Sequence, residues 1–215
     1  MLEYYIISLH PEKQKLILSI IRNKLLNMKT NVLGYPRIGE KRELKKANEA
    51  FWEGNLSEEE LLAVAEQIRV HNWTLQKEAG IDLIPSNDFS LYDQVLDFSF
   101  TINAIPERFA PTQSLSELKQ YFAIARGYQK DGIDVTASEM TKWFDTNYHY
   151  IVPEFTKNQA FSIKVNKPLQ EYNLAKKHGF ETKPVLLGIV SYLLLGKEKE
   201  AGFHRLELAD RLLPV

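Results

Sequence analysis

Cysteine is missing from all 215 residues, and that one gap removes disulfide frameworks, thiolate metal sites and cysteine nucleophiles together. The absence fits a reducing compartment, and a cytoplasmic location is the expectation. A charge imbalance is missing too. Lys and Arg number 27 against 28 Asp and Glu, a net charge of -1, so nothing draws the chain as a whole to nucleic acid or to an anionic membrane, and neither is an expected partner. Long hydrophobic runs are lacking as well. Tyr4–Leu9 and Leu16–Ile21 are the apolar runs of the first 27 residues, and both fall far short of the roughly 20 residues that span a bilayer. Nor do they follow the order of a signal peptide, which needs basic residues, then one unbroken apolar segment, then a small-residue cleavage site. Finally, His10, His71, His149, His178 and His204 are scattered with no ligand spacing between any two, so no metal site is expected.

What remains is an ordinary globular chain, 44% hydrophobic and 26% charged, able to bury a large core. Its most informative stretch is Asn31 to Trp52, NVLGYPRIGEKRELKKANEAFW. Val32–Tyr35 reads as a short strand, Pro36 ends it, Gly39 provides a turn, and a helical pattern begins near Glu40. Arg37, Lys41, Arg42, Lys45 and Lys46 are basic, and the step from Arg42 to Lys45 or Lys46 places them on one helical face. Leu44, Ala47 and Phe51 mark the opposite, buried face. Cations at a helix start oppose the macrodipole, at about 0.3 to 1 kcal/mol per charge, so this crowd is either an anion-binding site or a solvated face balanced by Glu40 and Glu43.

Further on, Ser57 and Glu60 have capping-box spacing, and Leu61, Leu62, Ala65, Ile68 and Trp73 follow at helical intervals. Gly80 is a stop before a buried strand, Ile81–Pro85. Asp88, Tyr92 and Asp93 come next, where a parallel α/β fold collects functional side chains, although helix capping by Asp88 with exposed acids explains them as well. Pro106 and Pro111 mark an excursion with one helix, Leu115–Gly127. The stretch Val135–Phe155 is β-tolerant up to Lys142 and then enters an aromatic loop. Trp143, Tyr148 and Tyr150 are there either to pack or to stack on a planar ring. A helix from Gln170 to His178 ends at Gly179, Pro184–Gly188 is an apolar strand, and Phe203–Val215 reads as a helix.

The words LGYPRIG, RELKKA, FW, EMTKWF, TNYHYIVPEF, KPVLLG and YLLLGK, in this order, resemble the amino-terminal part of the cobalamin-independent methionine synthase family. The resemblance begins at about Met28. It implies an amino-terminal extension, 1–27, expected to be helical, and a partial barrel domain, 28–215. The implied fold is α/β of the (β/α)8 TIM-barrel type, amino-terminal barrel only and incomplete, since a full barrel takes about 250 residues.

The resemblance also implies a job: moving a methyl group from 5-methyltetrahydropteroyl polyglutamate to homocysteine without cobalamin. Carried over by motif, the folate's glutamate tail would be held by Arg42, Glu43, Leu44, Lys45 and Lys142. Zinc and homocysteine would sit in a carboxy-terminal barrel, the expected partner, so this chain would bind no zinc and be inactive alone. A stand-alone polyanion- or folate-binding domain, or an inactive truncated product, is the alternative. A relative of uroporphyrinogen decarboxylase is a third reading, against which RELKKA and EMTKWF count. Where the family has proline after KPVLLG, Ile189 stands here, which bears on the geometry of that turn.

Overall fold

The computed structural model describes residues 10–26 and 28–215. Helix α1 (Pro11–Leu26) fills most of the expected extension, while the run Tyr4–Leu9 lies outside the described residues. Leu16, Leu18 and Ile20 on α1 are exposed.

Two expectations about the next segment are corrected. The strand at Val32–Tyr35 shrinks to one parallel bridge between Asn31 and Leu83, because the Tyr35 N–H donates to the Asp88 carboxylate at 2.9 Å instead of to a ladder. The helix, α2 (Glu43–Glu53), starts three residues later than Glu40. Arg42 is its N-cap, at φ 62 and ψ 38, and so belongs to no helical face.

Helix α3 (Glu58–Glu78) opens with the capping box: the Ser57 hydroxyl accepts from the Glu60 N–H at 3.2 Å, and the Glu60 carboxylate from the Ser57 N–H at 2.8 Å. Leu61, Ala65, Ile68 and Trp73 are buried along it, whereas Leu62 faces out. Strand β1 (Ile84–Ser86), helix α4 (Gln94–Thr101), a 3-10 stretch (Glu107–Ser114) and helix α5 (Glu117–Arg126) follow. The main core forms where Leu61, Leu96, Phe109, Phe122 and Ile124 meet. A full side chain of this kind contributes about 1.5 to 3 kcal/mol when taken out of water.

Next come β2 (Tyr128–Lys130), β3 (Ile133–Val135), β4 (Met140–Lys142), β5 (His149–Ile151) and β6 (Glu154–Phe155). Helix α6 (Lys167–Lys177), β7 (Thr182–Pro184), α7 (Ile189–Leu195) and β8 (Lys197–Glu198) complete the strands and long helices. Pairs β1–β7 and β6–β8 are parallel, and β2–β3 and β4–β5 antiparallel. The fold is therefore mixed α/β. Among the described residues the strands remain in two-stranded pairs, with no closed barrel.

The helix expected over Phe203–Val215 is broken into a 3-10 turn (Arg205–Leu208) and α8 (Ala209–Leu212), which set Leu208 and Leu212 into a second core around Tyr192. Ile189 is the first residue of α7, after the Gly188 cap. At that position the amide has no partner inside the helix, so proline and isoleucine both fit, and the substitution leaves the turn intact.

Candidate functional site

The RELK word is built around the carboxylate of Glu43. Its Oε2 accepts from the Lys41 N–H at 2.9 Å, closing a turn whose corner is Gly39 at φ 81. A Cβ on Gly39 would run into that same carboxylate, so glycine is required twice over. Hydrogen bonds from its own N–H and from that of Lys41, with the charge of Lys46, hold the Glu43 carboxyl below its usual range. Closure of this turn leaves Arg42 in solvent.

One turn along α2 the residues separate by face. Leu44 is fully buried against Ala65, Ile68 and Phe89, so its side chain fixes the helix rather than meeting solvent. Lys45 points outward, its Nζ 3.5 Å from Glu49. Asn48 is buried, four residues after Leu44 on the apolar side, and donates from Nδ2 to the Leu91 carbonyl at 2.8 Å. Arg37 holds the carbonyls on either side of it, Ser90 at 2.8 Å and Tyr92 at 2.5 Å. Three consecutive carbonyls are thus clamped by one guanidinium and one amide, which accounts for one cation of the basic cluster in structural terms.

Lys45, Asn48, Trp52, Tyr92 and the hairpin residues Met140, Tyr148 and His149 surround a cleft of about 310 Å³. Lys142 ends β4 and stands opposite His149 in the ladder, exposed on the hairpin that forms this wall. Among the described residues the side chains of Arg42 and Lys142 make no ion pair. Neither side chain is among those lining the cleft: Lys142 ends the strand whose Met140 does, and Arg42 caps the helix that supplies Lys45 and Glu49 to another wall. Of the five residues carried over by motif, Leu44 and Lys45 line the cleft. Lys142 stands on the hairpin that forms one of its walls, and Arg42 and Glu43 form the turn leading into the helix that forms another.

Asp93 overturns the reading of the acids after the second strand. The capping residue is Asp93, not Asp88, and neither acid is exposed. Asp93 Oδ1 accepts from the Val95 N–H at 3.2 Å and the Tyr148 hydroxyl at 2.9 Å, and Oδ2 from the N–H groups of Leu96 at 2.8 Å and Ile151 at 3.0 Å. Burial outweighs these donors and pushes its carboxyl up to about 6. Asp88 is also pushed up to about 6 by burial, against the donor from Tyr35.

The aromatic residues of the hairpin pack on one another. Trp143 lies edge-on to Tyr150 with ring centres 5.8 Å apart, and the Tyr150 hydroxyl donates to the Leu195 carbonyl. His149 has its Nδ1 3.1 Å from its neighbour's carbonyl, Asn147 O.

Two contributors escaped the sequence reading. Asn48 had a signal, an amide on the apolar face of a helix. Lys167 reaches Glu171, four residues on in the same helix, at 2.7 Å, a pair its spacing allows, and also Asp97 of α4 at 3.3 Å, for which the sequence had no signal because that acid lies on another element. Among the described residues no group of three or more His, Asp or Glu side chains is placed to hold a metal ion. No helix among them is long and apolar enough to cross a membrane.

Residues 29–215 match the family described as the cobalamin-independent synthase, N-terminal domain. The chain is 64% identical over 189 residues to a 5-methyltetrahydropteroyltriglutamate–homocysteine methyltransferase of Flavobacterium johnsoniae, which covers 87% of this chain and 24% of the relative. Identity to the protein of the same name from Cytophaga hutchinsonii is 63% over 187 residues, covering 85% and 24%. A probable enzyme of that name from Schizosaccharomyces pombe is 50% identical over 195 residues, covering 87% and 25%. The chain thus spans about a quarter of the length of the curated relatives it matches. With RELKKA on one clamped turn and its helix, EMTKWF on one hairpin, and residues 29–215 matched as a whole, it belongs to the cobalamin-independent methionine synthase family, as an amino-terminal part.

Proposed function

We propose that this chain is the part of a methyltransferase that holds the polyglutamate tail of 5-methyltetrahydropteroyl polyglutamate, with Arg42, Lys45 and Lys142 as the cations that meet the tail carboxylates. The observation that carries the reading is the shared cleft, lined by Lys45 on one wall and by the hairpin that ends in Lys142 on another. Glu43 shapes the turn that presents Arg42, and Leu44 anchors the helix that presents Lys45. Charge-assisted contacts to carboxylates are about twice as strong as neutral ones, which suits lysine and arginine to this ligand.

In the complete enzyme the parallel pairs β1–β7 and β6–β8 would belong to a (β/α)8 barrel, with the antiparallel hairpins as additions to it. A carboxy-terminal barrel would bring zinc, whose Lewis acidity would favour the thiolate form of homocysteine. The residues here would orient the donor and take no part in bond making. Cytoplasmic residence follows from the same reading. Calorimetry on the chain with γ-linked triglutamate and monoglutamate forms of the donor tests it: the triglutamate form should bind more tightly, and increasingly so as salt is lowered. Equal affinity for both forms, or equal affinity for an unrelated polyanion, would remove the tail assignment.

A further inference from the structure

Asp93 does more than cap α4. Its two oxygens take two donors from the helix, Val95 N–H and Leu96 N–H, and two from the hairpin, Tyr148 hydroxyl and Ile151 N–H. Besides these, the hairpin is held by packing, by a long contact from the Tyr92 hydroxyl to the Met140 sulfur at 4.0 Å and by the Tyr150 hydroxyl on the Leu195 carbonyl. The next residues before Asp93, Ser90 to Tyr92, are those clamped to α2 and its approach by Arg37 and Asn48. So a single buried carboxylate stands between the clamp on one side and the β4–β5 hairpin on the other. The groups facing it are Tyr148 and Tyr150 from the hairpin, Tyr121 from α5 with Asp97 behind it, and Tyr92 and Arg37 beside the cleft.

We infer that Asp93 is a positioning residue for the cleft: by holding Tyr148 and Ile151 it sets the distance between the hairpin wall carrying Lys142 and the helical wall carrying Lys45, and so sets the preference for a long acidic tail. The inference rests on the tail reading above. It goes beyond that reading by assigning specificity to a residue that touches no ligand. A buried carboxylate suits the task, because charge-assisted bonds to N–H and O–H donors are short and directional, and because four donors from two elements over-determine its place.

Two variants separate this role from the cap. Asp93→Ser keeps a good N-cap oxygen but is too short to reach across to the hairpin, and Tyr148→Phe removes one hairpin donor, with the long 3.4 Å bond from the Gln94 N–H, while the Val95 and Leu96 bonds to Asp93 stay in place. Both are made in the full chain and titrated with the triglutamate and monoglutamate forms of tetrahydropteroyl, while hydrogen exchange follows the Ile151 amide. The expected result is a triglutamate Kd raised about fivefold in each variant, the value for one ordinary hydrogen bond, with the monoglutamate Kd changed less than about twofold. The Ile151 amide should exchange faster in Asp93→Ser.

Faster exchange with an unchanged ratio of the two Kd values would mean that Asp93 serves the fold alone, and the inference would fall. Unchanged exchange in Asp93→Ser would also overturn it, whatever binds. Should Asp93→Ser fold poorly, Tyr148→Phe decides by the same ratio. If the unaltered chain does not distinguish the two ligands, the tail reading fails first and takes the inference with it, an outcome recognisable because it appears before any substitution.

Discussion

The guanidinium of Arg108 grips Glu154, with Nη2 2.6 Å from one carboxylate oxygen and Nε 3.2 Å from the other. The same side chain donates to the Thr136 carbonyl and, at 3.1 Å, to the Ser138 hydroxyl. It thereby ties the segment just before β4 to β6, and with it the root of the hairpin that carries Lys142. Glu154 is almost fully buried, while Arg108 is 37% exposed.

Removing Arg108 would leave the buried Glu154 with only the long contact to Lys199 at 3.9 Å. Arg108→Ala should lower stability by about 2 to 4 kcal/mol, toward the lower end because the guanidinium is partly solvated. Arg108→Lys should recover less than half of the loss, since an ammonium cannot bridge both oxygens and the two loop groups. Urea unfolding measures both, and a shift under about 0.5 kcal/mol for Arg108→Ala would show that the grip contributes little.

Stability should depend on pH with an unusual sign near neutrality. Asp88 and Asp93 have carboxyls pushed up to about 6, above the ordinary value of 3.8. The folded state therefore binds these protons more tightly than the unfolded one. Their contribution is fully present below about pH 4 and is lost as the pH rises through 6, up to about 3 kcal/mol for each. Glu43, Asp82 and Glu198 are held low by hydrogen bonds, and their contribution is lost in the other direction, as the pH falls below about 4. Unfolding free energies between pH 3 and 8 should peak near pH 4 to 5, and Asp88→Asn should flatten the descent toward pH 7. A curve that keeps rising from pH 4 to 7 would contradict the burial of these acids.

Lys142→Ala should weaken binding of the triglutamate donor by about 0.5 to 1.5 kcal/mol and leave the monoglutamate almost unchanged. The difference should shrink as salt is added, since the screening length is only about 8 Å at physiological ionic strength. Equal losses for both donors would assign Lys142 to the pterin end or to the fold.

Gly196 packs directly on the ring of Phe155, where an added Cβ would overlap Cε2. Phe155, the last residue of β6, is itself fully buried with its ring edge-on to Tyr192. Gly196→Ala should therefore cost about 1 to 3 kcal/mol, and Phe155→Leu in the same chain should recover part of that by vacating space. Additive losses in the double variant would show that the two positions do not compete for the same volume.

Hydrogen exchange and binding will meet a fold whose parts were unequally visible in the chain itself. The sequence alone determined the helices with strong local signals: α3 with its capping box, α5, and α6 ending before Gly179 at φ 80. It also determined the family, because words such as RELKKA and EMTKWF are linear. These features depend on neighbours three or four residues away, a distance over which periodicity and capping act. Tertiary structure decided the rest. Only folding could take the Tyr35 amide from a strand and give it to Asp88, 53 residues on, or place Arg42 at a positive φ outside the helix it was expected to join. It also chose Asp93 over Asp88 as the cap and buried it, since the four donors that reward a carboxylate there come from two elements more than fifty residues apart. Local propensity has no term for such partners, and the desolvation they offset is set by what the whole chain packs around them.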